Sequence, residues 1–360
     1  MRVLMISNPQ SSGQSPATVR RVLYAVRAVP DIRLRSVFTH YPGHASRIVD
    51  GLTRDDADVV LVLGGDGTVN EVVNGLLPAD PAAANAADYP ALAVVPAGSA
   101  NVFSRALGFA PDPASAAREL AEGLAAGSFR TVSLGRWDEG WFVVNAGCGV
   151  DADVIARMER ARSRGRSATP LRYLAVAAQA WLAARRRPPS VDVDARRAGG
   201  RPWRARGLPV VFASNTNPWT YLGPLPVVTN PKNSFDRGIG LFAIPETRGQ
   251  RGIRGLLYLG GLGHDSAARR LLRGAVLTVD DAEAVHLSSD AELPFQVDGE
   301  LIGTRREMRL HSVPRALEVV VPRRSADDKS DPPLDRAWRT TLRRGRAALR
   351  MARRGPRDAG

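Results

Sequence analysis

The first third of the chain alternates short unbroken apolar runs with segments whose apolar positions recur at helical spacing. Val3 to Ser7 reads as a strand, and the polar turn Asn8-Pro9-Gln10-Ser11-Ser12-Gly13 leads into a helix carrying Val19, Val22, Leu23 and Val26. Leu34 to Thr39 repeats the pattern, with a break at Pro42-Gly43 before the next helix. Val59 to Leu63 is a buried-strand run, Gly64-Gly65-Asp66-Gly67-Thr68 forces a turn, and Val69, Val72, Val73, Leu76 and Leu77 resume helical spacing. After an Ala/Asp/Pro-rich connector, Ala91 to Val95 is a fourth strand, followed by Pro96-Ala97-Gly98-Ser99-Ala100-Asn101 and a helical run through Phe103, Ala106 and Leu107. Strand-loop-helix units in succession predict a doubly wound, parallel α/β domain, whose ligands sit at the carboxyl ends of the strands. The loops after Ser7, Thr39, Leu63 and Val95 are therefore expected to line one crevice.

After Gly127 the pattern turns β-rich, with strand-like runs at Thr131 to Leu134, Trp141 to Asn145, Val191 to Val193, Leu208 to Ser214 and Ile239 to Ile244. Further runs follow at Val276 to Val279, Val285 to Leu287 and Phe295 to Val297. Helical character returns from Ala152 to Arg187 and from Gly252 to Arg273. Many strands with Gly/Pro turns predict an antiparallel sandwich as a second domain. From Arg323 the Asp/Pro/Ser-rich stretch reads as a linker into a basic tail.

Composition adds constraints. A chain of 360 residues with 44% hydrophobic content suffices for two domains with cores, and no apolar run reaches membrane-spanning length. The N-terminal residues enter a strand pattern directly, so a cytoplasmic protein is expected, and the single cysteine, Cys148, agrees with a reducing compartment. The formal charge of +14 calls for an anionic partner. From Arg323 to Gly360 there are 12 Arg plus Lys and 5 Asp, so 12 − 5 = +7, half of that excess, lies in the tail.

The loop at Gly64 to Thr68 carries the most specific chemistry. A glycine turn between strand and helix lets backbone N–H groups close on a phosphate, where unpaired amides and the helix dipole both favour an anion. Asp66 is the exception, because a carboxylate repels phosphate unless a divalent cation lies between them or the acid handles a proton. Gly147-Cys148-Gly149-Val150-Asp151-Ala152 fits a dinucleotide-binding fingerprint, but it opens the second domain without a βαβ unit. There is no G-x-x-x-x-G-K-[ST] motif, which excludes an ordinary P-loop NTPase.

Three motifs in order carry a resemblance: G-G-D-G-T-x-N-E-x-x-N-G-L from Gly64 to Leu76, P-x-G-S-x-N-x-F-x-R-x-L-G from Pro96 to Gly108, and Asp298-Gly299-Glu300. Together they resemble the diacylglycerol kinase catalytic-domain family, which includes bacterial lipid kinases and sphingosine kinases, over about residues 1 to 322. The segments Asn215 to Gly223 and Phe235 to Gly238 resemble second-domain motifs of the same family. The resemblance implies a nucleotide-binding α/β domain at 1–128, of the NAD kinase and phosphofructokinase kind, completed by strands from about 305–322. It further implies a β-sandwich lipid-substrate domain at 129–304; residues 323–360, beyond the resemblance, are read from their own composition as a basic linker and amphipathic tail. It implies ATP and Mg²⁺ as cofactors, with Asn8, Thr39, Gly64, Gly65, Asp66, Gly67, Thr68, Asn70, Glu71, Gly98, Ser99 and Asn101 contacting nucleotide. Glu300 is the implied proton acceptor, and Asp66 works near the nucleotide's Mg²⁺ and the acceptor hydroxyl. Asp153 resembles a position that contacts the lipid head group, while Asp298 and, for a structural Mg²⁺, Asp236 are candidate metal ligands.

Helix capping is the bland alternative for Asn8, Thr39 and Ser99, and a hairpin turn for Asp298-Gly299-Glu300. The chain also departs from the family pattern. Asn8 to Gly13 is one residue longer before its glycine, Val102 follows Asn101 where Asp is usual, and Arg237 replaces an acid, which weakens the structural Mg²⁺ site.

The expected partner is a membrane lipid at the inner face of the membrane, reached through the tail. Leu334, Trp338, Leu342 and Leu349 fall near one face of a tail helix, with arginines around the rest, as in helices that lie on anionic lipid. Arg157 to Arg166 and Arg185 to Arg187 flank an apolar helix that either borders a lipid entrance or is a solvated face. Two other readings stand beside the lipid kinase: an NAD or other small-molecule kinase sharing the glycine loop, and a non-catalytic nucleic-acid-binding module. No nucleic-acid partner is expected, since aromatic residues are not interleaved with the basic runs. Oligomeric state stays open, a homodimer included.

Overall fold

The computed structural model describes residues 1–163, 170–197, 199–223, 225–259, 272 and 274–323. The tail expected to bind membrane, 324–360, and the second half of the helix expected at 252–273 lie outside the described residues.

The N-terminal region runs β1 (Arg2–Ser7), α1 (Pro16–Arg27), β2 (Arg33–Phe38), α2 (His44–Val49), β3 (Val59–Gly64), α3 (Asp66–Leu76), β4 (Ala91–Pro96), α4 (Val102–Ala106) and α5 (Pro113–Ala125). Its strands are all parallel, with Val3 beside both Leu34 and Val59, and Val59 beside Ala91. Every residue of β3 and β4 is buried, as central parallel strands covered by helices require. Helix α1 packs with α5, and α2 with α3, where Gly75 lets the α2 backbone at Ser46 come into direct contact. This is the α/β domain that the apolar pattern predicts.

The β-rich region begins with β5 (Phe129–Trp137), β6 (Gly140–Phe142) and β7 (Asn145–Gly149), followed by α6 (Val150–Ser163) and α7 (Pro170–Arg186). It continues with β8 (Val191–Arg197), β9 (Trp203–Leu208), β10 (Val210–Ser214), the small hairpin β11 (Thr220–Leu222) and β12 (Leu225–Val227), β13 (Ile239–Ile244) and α8 (Gly249–Leu259). Two long strands close it, β14 (Leu277–Val297) and β15 (Glu300–Val320). The three short strands expected between Val276 and Val297 are one strand here. Register shifts along β14 let it pair in turn with β13, β8 and β7, because local bulges bend the strand from one layer toward the other.

Pairing of β14 and β15 also joins the two regions. One 13-stranded sheet has the main path β13-β10-β7-β14-β15-β4-β3-β1-β2, with β5 and β6 branching from β15 and β8 and β9 from β14, and Val319 of β15 sits parallel to Leu92 of β4. Leu317, Val319 and Val320 accordingly belong to the core of the N-terminal region, although they come from the end of the described chain. The β-rich region has its own core, with Cys148, Val193, Val211, Leu241, Val285 and Met308 facing inward. A third apolar cluster lies where α6, α7 and α8 cover the other face of β10 and β13, through Val154, Ala180, Tyr258, Phe212, Phe242 and Ile244.

Candidate active site

A cleft of about 510 Å³ opens where the carboxyl ends of β1, β3 and β4 meet the turn between β14 and β15. Asn8, Gly65, Asp66, Gly67, Thr68, Glu71 and Ser99 line it from the α/β side, and Asn145, Asp151, Asp298 and Glu300 from the β-rich side.

The α/β wall depends on close backbone approach. A Cβ on Gly98 would lie 2.6 Å from the Gly65 Cα, so the two glycine loops touch and admit no side chain between them. The Asn8 amide donates to Thr68 Oγ1 at 2.9 Å and its carbonyl oxygen accepts from the Gln10 N–H, joining the first loop to the start of α3. Ser12 and Ser99 hydroxyls lie 3.3 Å apart across the same opening. Asn101, in the left-handed region at φ 49°, folds back on its own loop, its side chain accepting from the Gly98 N–H and donating to the Gly98 carbonyl at 2.7 and 2.8 Å. It shapes the loop from behind rather than lining the cleft.

Asp66 does more than face the cleft. Its half-buried carboxylate accepts the N–H groups of Val102 and Phe103 at 2.9 and 3.0 Å, tying the first turn of α3 to the first turn of α4. Burial raises its pKa, and those two amides and Arg105 work against the rise. Arg105 in turn lies over the Tyr221 ring at 3.2 Å and donates to the Gly223 carbonyl, fastening the β11–β12 hairpin against the α/β wall. Burial pushes the Tyr221 hydroxyl up to about 12.

On the opposite wall, Val297 pairs with Glu300, so Asp298-Gly299 is a two-residue hairpin turn with both residues at positive φ, 49° and 82°. The bland reading of this motif as a turn is therefore correct, and the turn is also part of the cleft. Asp298 is buried, and its carboxylate accepts four N–H groups: Val143 and Val144 at 2.8 Å, Asn145 at 2.9 Å and the Asn70 amide at 2.7 Å. Burial pushes it up to about 6 against these donors. With its lone pairs so engaged, Asp298 positions the turn instead of offering oxygens to a metal. Asn70 is thus a bridge to the other wall, not a cleft residue. Glu300 follows the turn, with Oε1 at 3.0 Å from where a Cβ on Gly67 would stand. The motifs from the two regions therefore meet at the N-terminus of α3.

Sequence reading passed over the buried polar set behind Glu300. Gln296 donates to Asn145 Oδ1 at 2.8 Å and to Asp151 Oδ2 at 2.7 Å, and its own carbonyl oxygen accepts the Gly299 N–H. Burial pushes Asp151 up to about 7, opposed by the single Gln296 hydrogen bond. The available signal was the run of polar residues inside otherwise apolar strands, Asn145 in one and Gln296 in the other.

Three of the expected site residues lie outside the cleft lining. Asp153 does not face the cleft: two residues after Asp151 on α6 it points elsewhere, pairs with Arg157 at 2.9 Å and borders a separate concavity near α7. Thr39 is buried at the end of β2, where its N–H bonds the Ser7 carbonyl, outside the cleft lining. Asp236 is exposed and pairs with Arg130, so its carboxylate is engaged away from other acids. Among the described residues no cluster of three or more His, Cys, Asp or Glu side chains is placed to hold a metal. A nucleotide-borne Mg²⁺ takes most of its ligands from phosphate and water and needs only one or two carboxylates, a requirement Asp66 and Glu71 fit.

Fold and site together define a two-region protein, an α/β unit with a glycine cradle facing an acidic turn from a β-rich unit. Residues 2–137 match the family model described as the diacylglycerol kinase catalytic domain. The chain is 35% identical over 107 residues to a diacylglycerol kinase of Bacillus subtilis, covering 30% of this chain and 32% of the relative. It is 31% identical over 126 residues to a diacylglycerol kinase of Staphylococcus saprophyticus, covering 32% and 38%. The matched segments thus span about a third of these relatives. Over the full fold, a diacylglycerol kinase crystal structure from Bacillus anthracis superposes with a TM-score of 0.62 at 20% identity, covering 89% of this chain and 96% of that one. At that identity the likeness concerns the fold.

Proposed function

We propose that the protein is an ATP-dependent lipid kinase that transfers the γ-phosphoryl group to the free hydroxyl of diacylglycerol or a related lipid, giving a phosphatidic-acid-type product. The observation that carries this reading is the position of Glu300 against Gly67, at the helix N-terminus where the glycine loops offer amides to phosphate. In this scheme the triphosphate lies along Asn8, Gly65 to Thr68 and Ser99, and Glu300 takes the acceptor hydroxyl proton as its oxygen bonds the γ-phosphorus and the bond to ADP breaks. Mg²⁺ carried by the nucleotide would neutralise phosphate charge, with Asp66 and Glu71 of the α/β wall as the acids to hold it. Asp151 and Asn145 lie at the depth of the cleft, where a polar lipid head group is expected to bind.

The functional division follows the same line. Residues 1–128 with the end of β15 hold nucleotide, and 129–304 hold lipid. Among the described residues no helix is long and apolar enough to cross a membrane. In this scheme the lipid is met at a bilayer surface, on the cytoplasmic side where ATP is available. Glu300→Gln is the direct test. Assayed with γ-labelled ATP against diacylglycerol in mixed micelles, and against NAD in parallel, it should lose about 10²- to 10⁴-fold in lipid phosphorylation while unfolding at the wild-type temperature. Full lipid kinase activity in this variant defeats the assignment, and labelled NAD from the wild type would favour a small-molecule kinase.

A further inference from the structure

Helix α8 is seated with its small residues inward and its large apolar residues outward. Gly252, Gly255 and Tyr258 are buried, and a Cβ on Gly255 would come within 2.8 Å of Ile244 Cγ2, so the glycines bring the helix down onto β13. Ile253, Leu256 and Leu257 are exposed at 61%, 40% and 42%. An ordinary surface helix has the reverse arrangement, with its bulky apolar stripe in the core.

Helix α7 lies beside it on the same face of the sheet and behaves likewise. Val176, Ala180 and Ala184 turn inward, while Leu174 and Leu182 are exposed at 50% and 56%, two helical turns apart. The helices are held together where Arg248 donates to the carbonyls of Arg185 and Arg186, and Thr247 to that of Ala184. Their outer faces therefore form one surface.

We propose that this surface docks on an anionic lipid bilayer. Neither helix contains a single carboxylate, and Arg185 and Arg186 of α7, Arg251 and Arg254 of α8, and Arg187 and Arg248 at their adjoining ends make the pair strongly basic. Apolar side chains reaching the acyl boundary, with arginines at headgroup level, are what interfacial binding requires. A second copy of the chain is the less suitable occupant, since two copies would meet basic face to basic face. The surface also adjoins the cleft: Tyr173 lines the cleft and Leu174, next to it on α7, is exposed. Docking here would bring the cleft mouth to the bilayer that holds the acceptor lipid, so the inference deepens the lipid-kinase reading. It is separate from any contribution of the tail.

The test is co-sedimentation of the full-length chain with sucrose-loaded vesicles of phosphatidylglycerol and phosphatidylcholine in equal parts, beside pure phosphatidylcholine vesicles. The wild type should bind the anionic vesicles. Ile253→Asp combined with Leu257→Asp should weaken that binding at least about tenfold with unchanged thermal unfolding. Arg251→Ser with Arg254→Ser, which leaves the apolar face intact, should weaken binding to the anionic vesicles and make it less sensitive to salt. Wild-type partition in both double variants, or no binding by the wild type, overturns the proposal. So does a dimer that becomes monomeric in the Asp variant while its vesicle binding is kept. The sedimentation assay needs no nucleotide, so vesicle binding by a protein that fails to phosphorylate lipid in the separate labelled-ATP assay would sink the kinase reading and leave the docking surface standing.

Discussion

The wall of the cleft formed by Asn8, Gly65 to Thr68 and Ser99 consists of loops that end parallel strands, each followed at once by a helix, whereas the wall formed by Asn145, Asp151, Asp298 and Glu300 is assembled from antiparallel segments far apart in the chain. The first wall is made of backbone: glycines that touch, amides at a helix start, short side chains closing their own loops. The second rests on the buried side chains of Asn145, Asp151 and Asp298, with Glu300 exposed at its edge and Asp298 reaching Asn70 across 228 residues of sequence. The difference teaches where each wall is vulnerable. A phosphate cradle built from backbone is damaged mainly by added atoms, while a wall built from buried carboxylates is damaged by removing one partner.

Asp298→Ala should have the largest effect on stability. It leaves the Val143, Val144 and Asn145 N–H groups and the Asn70 amide without their acceptor, at a cost of about 3–5 kcal/mol, and releases the turn that carries Glu300. Denaturant unfolding should show the loss, and lipid phosphorylation should fall with it. A variant as stable as the wild type would mean that the two walls are not coupled through this carboxylate.

A smaller effect, with a pH signature, is expected at Asp151. Its pKa is raised by burial to about 7, so between about pH 4 and 7 the folded chain binds more protons than the unfolded chain, and wild-type stability falls as pH rises through that window. Asp151→Asn cannot ionise and lacks this loss. Its unfolding temperature should therefore gain on the wild type from pH 5 to pH 8, by roughly 2 °C or more. A difference independent of pH would show that Asp151 is ionised throughout.

Asp153→Ala should do least. Its pair with Arg157 is a partly exposed contact between residues one helical turn apart, worth about 0.3–0.5 kcal/mol, and the side chain lies outside the cleft. Unchanged kinetics toward lipid are expected, and a large rise in KM for lipid would return Asp153 to the head-group role that the family resemblance implies.

The first wall was legible in the sequence because its parts are local. An apolar run, a glycine turn and a helical repeat define strand, loop and helix within a few residues, and parallel order brings the loops to one edge. The β-rich region was legible only as a class. Its strand-like runs were visible, but the fusion of three into β14 was not, because a bulged strand changes partners without changing its local pattern. On α6, the resemblance led to Asp153 rather than Asp151, since which side of a helix faces a cleft depends on what packs behind it.

The sequence by itself determined the α/β unit, the glycine loops and the presence of an Asp-Gly turn before Glu300, since these follow from backbone freedom and side-chain periodicity over short spans. Only the tertiary structure decided that Asp298 would be engaged by four N–H donors, that Glu300 would stand over Gly67, and that α8 would turn its leucines outward. Those outcomes depend on which distant segments share a buried volume, and desolvation there, more than any local preference, sets what a carboxylate or an apolar side chain does.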